Sequence, residues 1–113
     1  MIIKSSDAEK KVPYLCTGEK VEGVLYQTLA TGDKMMITTM FYDEGAHVPE
    51  HSHKEEQAGF VVDGKMEIKI KGKTETIAKG DSYMITTNVL HSLIALEKSL
   101  VVDTFSPPRE DYR

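Results

Sequence analysis

Three of the four histidines in this chain stand where they could act together: His51 and His53, separated only by Ser52, and His91 far downstream. Gln57 follows His53 by four residues. Side chains two apart on a strand face the same way, so His51 and His53 share a face, and Gln57 shares it if the strand runs on regularly. Two imidazoles, an amide oxygen and a third imidazole suit one divalent transition metal of borderline character: Ni, Zn, Fe or Mn. A histidine pair within a stretch as polar as Pro49 to Glu56 also fits an exposed loop. The pair alone does not choose between the two. The fourth histidine, His47, has matching parity but precedes Pro49 in a segment that reads as loop, which puts it beside the ligands or in solvent.

The elements that must position these residues read as strands. Val21 to Leu29 is rich in β-branched and aromatic residues and ends at Ala30-Thr31-Gly32-Asp33. Met35 to Tyr42 and Ala58 to Val62 follow, the latter closed by Asp63-Gly64, a hairpin signal. In Lys65-Met66-Glu67-Ile68-Lys69-Ile70-Lys71 the apolar residues alternate with charges, as on a strand with one wet face. Thr74 to Ile77, Ser82 to Thr86, His91 to Leu96 and Leu100 to Phe105 complete the set. The one hint of helix is a turn near Ala8 to Lys11. Short strands at this spacing predict an all-β sandwich or barrel. A jelly-roll β-barrel of about eight strands would let histidines from distant strands meet inside it.

Composition bounds the rest. At 113 residues, 40% apolar and a formal charge of −4, the chain is expected to form one domain with a modest core. No basic patch points to nucleic acid. No apolar run nears the roughly 20 residues of a membrane span, and the first residues carry no signal-peptide pattern, so the cytoplasm is the expected compartment. Cys16 is the only cysteine, which rules out an intrachain disulfide and reads as a packing residue. Met35, Met36, Met40, Met66 and Met84 read as core filling, and Tyr42 and Tyr83 as interior wall.

Gly45, His51-Ser52-His53, Gln57 and Gly64 keep the spacing of the first motif of the cupin superfamily, with glutamine in place of its glutamate. Gly80, Thr86-Thr87-Asn88 and His91 keep the spacing of the second, with threonine and asparagine in place of its proline and glycine. Asparagine tolerates the left-handed backbone such a turn needs. Over about residues 45 to 95 the sequence thus resembles a cupin, which implies a single-domain jelly-roll barrel over residues 1 to 113 and a metal on His51, His53, Gln57 and His91. Glu56 has the wrong parity, and Glu55 the wrong spacing, to replace the missing acid. With a neutral amide at Gln57 the metal would keep its full positive charge, favouring Lewis-acid chemistry over a high-valent redox state.

The tail, Asp103-Thr104-Phe105-Ser106-Pro107-Pro108-Arg109-Glu110-Asp111-Tyr112, resembles the ending of small cupins of the KdgF type. That resemblance implies conversion of 4,5-unsaturated uronate monosaccharides, as in pectin degradation, into linear 5-keto-4-deoxyuronates. It implies Asp103 as general acid/base, Arg109 as partner of the substrate carboxylate, and Phe105 against the sugar ring. Periodicity alone does not say whether Asp103 points inward, Arg109 could equally pair with Glu110 or Asp111, and Phe105 could be core. Two other functions fit a cupin: a metal-dependent dioxygenase on a small organic substrate, and a non-catalytic sugar- or effector-binding module, which needs no proton-transfer group. By the same resemblance a homodimer is expected, with Met1-Ile2-Ile3 and Val21 to Leu29 as its contact segments.

Overall fold

The alternation read in the sequence is realised as nine strands in a computed structural model that describes residues 1–113. They are β1 (Val24–Thr31), β2 (Met36–Tyr42), β3 (His47–His51), β4 (Glu56–Asp63), β5 (Lys65–Ile70), β6 (Lys73–Ala78), β7 (Ser82–Ile85), β8 (His91–Ala95) and β9 (Ser99–Ser106). Single 3-10 turns lie at Ser5–Asp7 and Glu110–Tyr112. The first replaces the turn expected near Ala8 to Lys11. No helix is long and apolar enough to cross a membrane.

The strands form two sheets, one ordered β1-β2-β9-β4-β7 and the other β3-β8-β5-β6. Every pairing is antiparallel. Strands β2 to β9 are shared between the sheets in the doubly wound order of a jelly roll, with β1 added at one edge. The expected barrel is corrected in one respect: the hydrogen-bonded ladders do not run around a closed wall but stop at the edges of two facing sheets. A second correction concerns Asp63-Gly64. Its flanking strands do not pair with each other, because β4 lies in the five-stranded sheet and β5 in the four-stranded one. The turn therefore carries the chain between sheets. Gly64 sits at φ +100°, and a Cβ there would run into Ser99 and the Lys98 backbone, so no other residue fits without displacement. A tight hairpin forms instead at β5–β6, where Lys71 and Gly72 both have positive φ, as a two-residue turn requires.

The inward faces bury Met40, Val61 and Val101 from one sheet against Met66, Ile68, Ile77, Leu93 and Ala95 from the other. Burial of this kind supplies most of the stability, about 1.5–3 kcal/mol for each large apolar side chain. Met36, Met40 and Met66 are core, as read from the sequence, but Met35 and Met84 are more than half exposed. Met84 lies on the outward side of β7, opposite in parity to buried Ile85. Strand parity, not side-chain type, decides their placement.

Candidate metal centre and cavity

His51, His53 and His91 come together, each offering one ring nitrogen within 4.8 Å of the others. The way they do so differs from the expectation of one regular strand. His51 is the last residue of β3, His53 lies in the loop that follows, and Gln57 is the second residue of β4 in the opposite sheet. The polar stretch around Pro49, read as loop, is strand at its first half, and its second half crosses between sheets. His91 opens β8 and stands directly opposite His51 in the ladder. Asn88, three residues earlier, takes φ +62°, the left-handed turn that swings the chain into β8. His47 is exposed.

Each imidazole is oriented by its own backbone. Nδ1 of His51 lies 2.8 Å from the Pro49 carbonyl, Nδ1 of His53 2.8 Å from the Glu55 carbonyl, and Nδ1 of His91 2.9 Å from the Val89 carbonyl. A carbonyl only accepts, so in each neutral ring Nδ1 carries the hydrogen and Nε2 keeps a bare lone pair. Burial keeps the rings neutral: it pushes all three below the usual histidine range, His91 down to about 4. Nε2 of His53 then faces Oε1 of Gln57 at 3.0 Å. With Nδ1 of His53 carrying the hydrogen, these are two acceptors with no hydrogen between them. A cation satisfies both acceptors, and three Nε2 lone pairs with an amide oxygen are an N/O set for a divalent transition metal. The residues present therefore fit the group that the sequence implies.

Beside this cluster the interior opens into a cavity of about 430 Å³. His51, His91, Gln57, Asp103, Phe105 and Arg109 all line it. Asp103 points inward and is only 1% exposed. Tyr83 donates a hydrogen bond of 2.6 Å to its Oδ1. Burial pushes the Asp103 carboxyl above its usual range, against the hydrogen bonds of Tyr83 and Gln57 and the charge of Arg109. Phe105, 1% exposed, meets His53 edge-on at a centroid distance of 5.8 Å. The Arg109 guanidinium stacks 4.1 Å over the Tyr112 ring and 5.3 Å from that of Phe105, and both its Nε and Nη2 donate to Asp111, at 3.2 and 2.8 Å. Burial works against the Arg109 charge, but Tyr112 and Asp111 outweigh it and hold its pKa above the usual value.

Four contributors were not singled out as such in the sequence. Tyr83 is wall, as read, but also the hydrogen-bond partner of Asp103; its parity with Ile85 was the available signal. Tyr112 braces Arg109 and stacks on Tyr26 at 4.3 Å, a contact between the tail and β1 that no local pattern announces. Asp111 holds Arg109. Glu55, set aside as a ligand, is 7% exposed with a carboxylate oxygen 3.8 Å from Nδ1 of His53. Cys16 is exposed yet borders the cavity mouth.

Comparison with known proteins agrees with this architecture. A family model described as the cupin domain matches residues 38–103. The pectin degradation protein KdgF of Dickeya dadantii (strain 3937) is 31% identical over 93 residues, 80% of this chain and 84% of that protein. Quercetin 2,3-dioxygenase of Bacillus subtilis (strain 168) is 30% identical over 94 residues, which make up 74% of this chain but 28% of the dioxygenase. Among solved structures, KdgF from Halomonas sp. superposes with a TM-score of 0.87 at 26% identity, covering 100% of this chain and 98% of that one. An RmlC-like cupin from Shewanella frigidimarina NCIMB 400 gives 0.88 at 25% identity, over 99% and 95%. By motif, fold and relatives, this chain belongs to the cupin family and is similar, among its small members, to the pectin degradation protein KdgF.

Proposed function

We propose that this protein converts 4,5-unsaturated uronate monosaccharides into linear 5-keto-4-deoxyuronates. The observation that carries the reading is a buried carboxylate, Asp103, on the wall of one cavity with a stacked arginine and two histidines, His51 and His91, of the three-histidine cluster. In this reaction the ring hemiacetal opens at the C1–O5 bond, leaving an aldehyde at C1 and an enol across C4 and C5. C4 then gains a proton and the enol hydroxyl loses one, giving the 5-ketone. No oxidant is consumed.

His51, His53, Gln57 and His91 would hold one divalent metal, which supplies a positive centre for the substrate's oxygens. Asp103 is the proton carrier. Its burial favours the protonated form while Tyr83, Gln57 and Arg109 favour the anion, and a group balanced between the two can both give and take a proton. Arg109 receives the substrate carboxylate on its planar fork of donors, in exchange for Asp111. Phe105 and the apolar lining (Val48, Leu93 and Ile85 among it) exclude water from the ring face.

The test is turnover of freshly generated 4,5-unsaturated galacturonate by metal-loaded protein without oxygen, followed as loss of the C=C absorbance. Faster loss than in the protein-free control supports the reading; equal rates with metal bound contradict it. The likeness to quercetin 2,3-dioxygenase supports a second reading, oxygenation of a small organic substrate at the same three histidines, and oxygen uptake with a flavonol would favour it.

The reading takes the protein as a homodimer. Leu25, Ile37, Phe60, Val62 and Met84 line the outward face of the five-stranded sheet, each at least 36% exposed, and an apolar surface of this kind is a usual mark of association. Sedimentation showing a monomer at micromolar concentration would remove that part.

A further inference from the structure

The row of residues that crosses the five-stranded sheet through Asp103 contains a gap. Asp103 on β9 stands opposite Gly59 on β4, and Gly59 stands opposite Tyr83 on β7. All three belong to the inward face, yet Gly59 puts no side chain there. Strands β9 and β7 are two ladder spacings apart, about 9.5 Å, too far for neighbouring side chains to meet over an ordinary residue. The Tyr83 ring lies across the bare backbone of Gly59 and its hydroxyl reaches Oδ1 of Asp103 at 2.6 Å. A Cβ on Gly59 would overlap Cζ, Cε1 and the hydroxyl of that ring. Gly59 has no positive φ to explain it, so the glycine is there for the space it leaves.

We infer that Tyr83 is a positioning residue for Asp103 and that Gly59 is the seat that lets it act. The inference rests on the reading of Asp103 as proton carrier. A carboxylate on a strand can rotate about its Cα–Cβ and Cβ–Cγ bonds, and Thr38, opposite Asp103 on β2, bonds the Asp103 backbone carbonyl instead of its carboxylate. The Tyr83 hydrogen bond fixes the rotation on the side away from β2. Asp103 is thereby held in place on the cavity wall before substrate arrives. Such preorganisation lowers the barrier without adding affinity.

The test uses metal-loaded Tyr83→Phe, Gly59→Ala and the double variant. Phenylalanine keeps the ring and removes only the hydroxyl. Loss of a partner that orients a reacting group commonly costs about 10–100-fold, so kcat on the unsaturated uronate is expected to fall by that factor in Tyr83→Phe, with KM and metal content within about twofold of the parent. Gly59→Ala is expected to match it by displacing the ring. Because both act through one hydrogen bond, the double variant should be no worse than either single one. Unchanged kcat in Tyr83→Phe, or full multiplication of the two losses, would overturn the inference. The crystal structure of Tyr83→Phe provides a readout that needs no substrate. An Asp103 carboxylate rotated from its parental position supports the positioning role even where the parent fails to turn over the uronate, and an unmoved one overturns the role even where it succeeds. Should Gly59→Ala not fold, Tyr83→Phe decides alone.

Discussion

The two ends of this interior are built on the same strands and do opposite things. At one end Val61 and Val101 meet Met66, Ile77 and Ala95, and none of these side chains borders the cavity. At the other end the same β4, β9 and β8 present Gln57, Asp103 and His91. Two residues along β9, from Val101 to Asp103, take the sheet from dry packing to a carboxylate that is just as buried. The dry end needs only shape and volume. The polar end must give its buried donors and acceptors partners, and it does so except at the ligand set, where Nε2 of His53 and Oε1 of Gln57 face each other with no hydrogen between them. The partners there come from a strand end, loops and the tail: the Pro49 carbonyl of β3 and the Glu55 and Val89 carbonyls of loops for the imidazoles, and Asp111 for Arg109. On the proposed function the apolar packing lies at one end and the reacting groups at the other, so the two should separate under mutation.

The sharpest separation is at the histidines. His51→Ala with His53→Ala is expected to reduce bound metal, read by elemental analysis, from one per chain to background and to abolish turnover, while circular dichroism keeps its β signature. Metal retained at full stoichiometry would show that the ligands lie elsewhere. The mirror-image change is Met66→Ala, a fully buried side chain at the dry end. It should cost about 2–5 kcal/mol in urea unfolding and leave metal content and kcat of the folded fraction unaltered. A collapse of kcat in folded protein would mean that the two ends are coupled.

Acid probes the polar end alone. In metal-free protein His91 is held down to about 4 when folded and returns to about 6.5 when unfolded. Above pH 6.5 the ring is neutral in both states and favours neither. As pH falls from 6.5 towards 4 the unfolded chain takes up the proton first, so stability drops across that window and the loss is complete below the folded value. The urea midpoint of the metal-free parent should therefore fall more steeply between pH 6.5 and 4 than that of His91→Asn; equal slopes would contradict the burial of a neutral ring. The smallest effect is expected at Asp111→Asn. The Arg109–Asp111 pair is partly exposed, with Asp111 at 56%, and such pairs are worth about 0.2–1 kcal/mol. Freed of this competitor, Arg109 should bind the substrate carboxylate with a KM lowered by about 1.4- to 5-fold. A raised KM would instead make Asp111 a support for Arg109.

The dry end was the more legible of the two in the sequence. Alternation in Lys65 to Lys71 named Met66, at the dry end, as buried without reference to any other segment, and Ile68, on the cavity wall, by the same rule, because parity is a local property. The ligand set was legible only as spacing. His51, His53 and Gln57 were read as one face of one strand, whereas they span a strand end, a loop and the opposite sheet. Their convergence is set by the crossing between sheets, which parity does not describe. Asp63-Gly64 misled for the same reason: a tight turn signal says that the chain reverses, not which sheet receives it. Asp103 shows the limit of periodicity most plainly, since Val101, Asp103 and Phe105 alternate as well facing in as facing out. What settles it is Tyr83 and Gln57 waiting on the inner face, and those contacts are long-range.

The most direct test of the account measures metal stoichiometry and oxygen-free turnover of 4,5-unsaturated galacturonate side by side in the parent and in Asp103→Asn. The account predicts one metal per chain in both proteins, with turnover in the parent and a loss of about 10²–10⁴-fold in the variant. An Asp103→Asn protein that binds metal and works at the parental rate would contradict it.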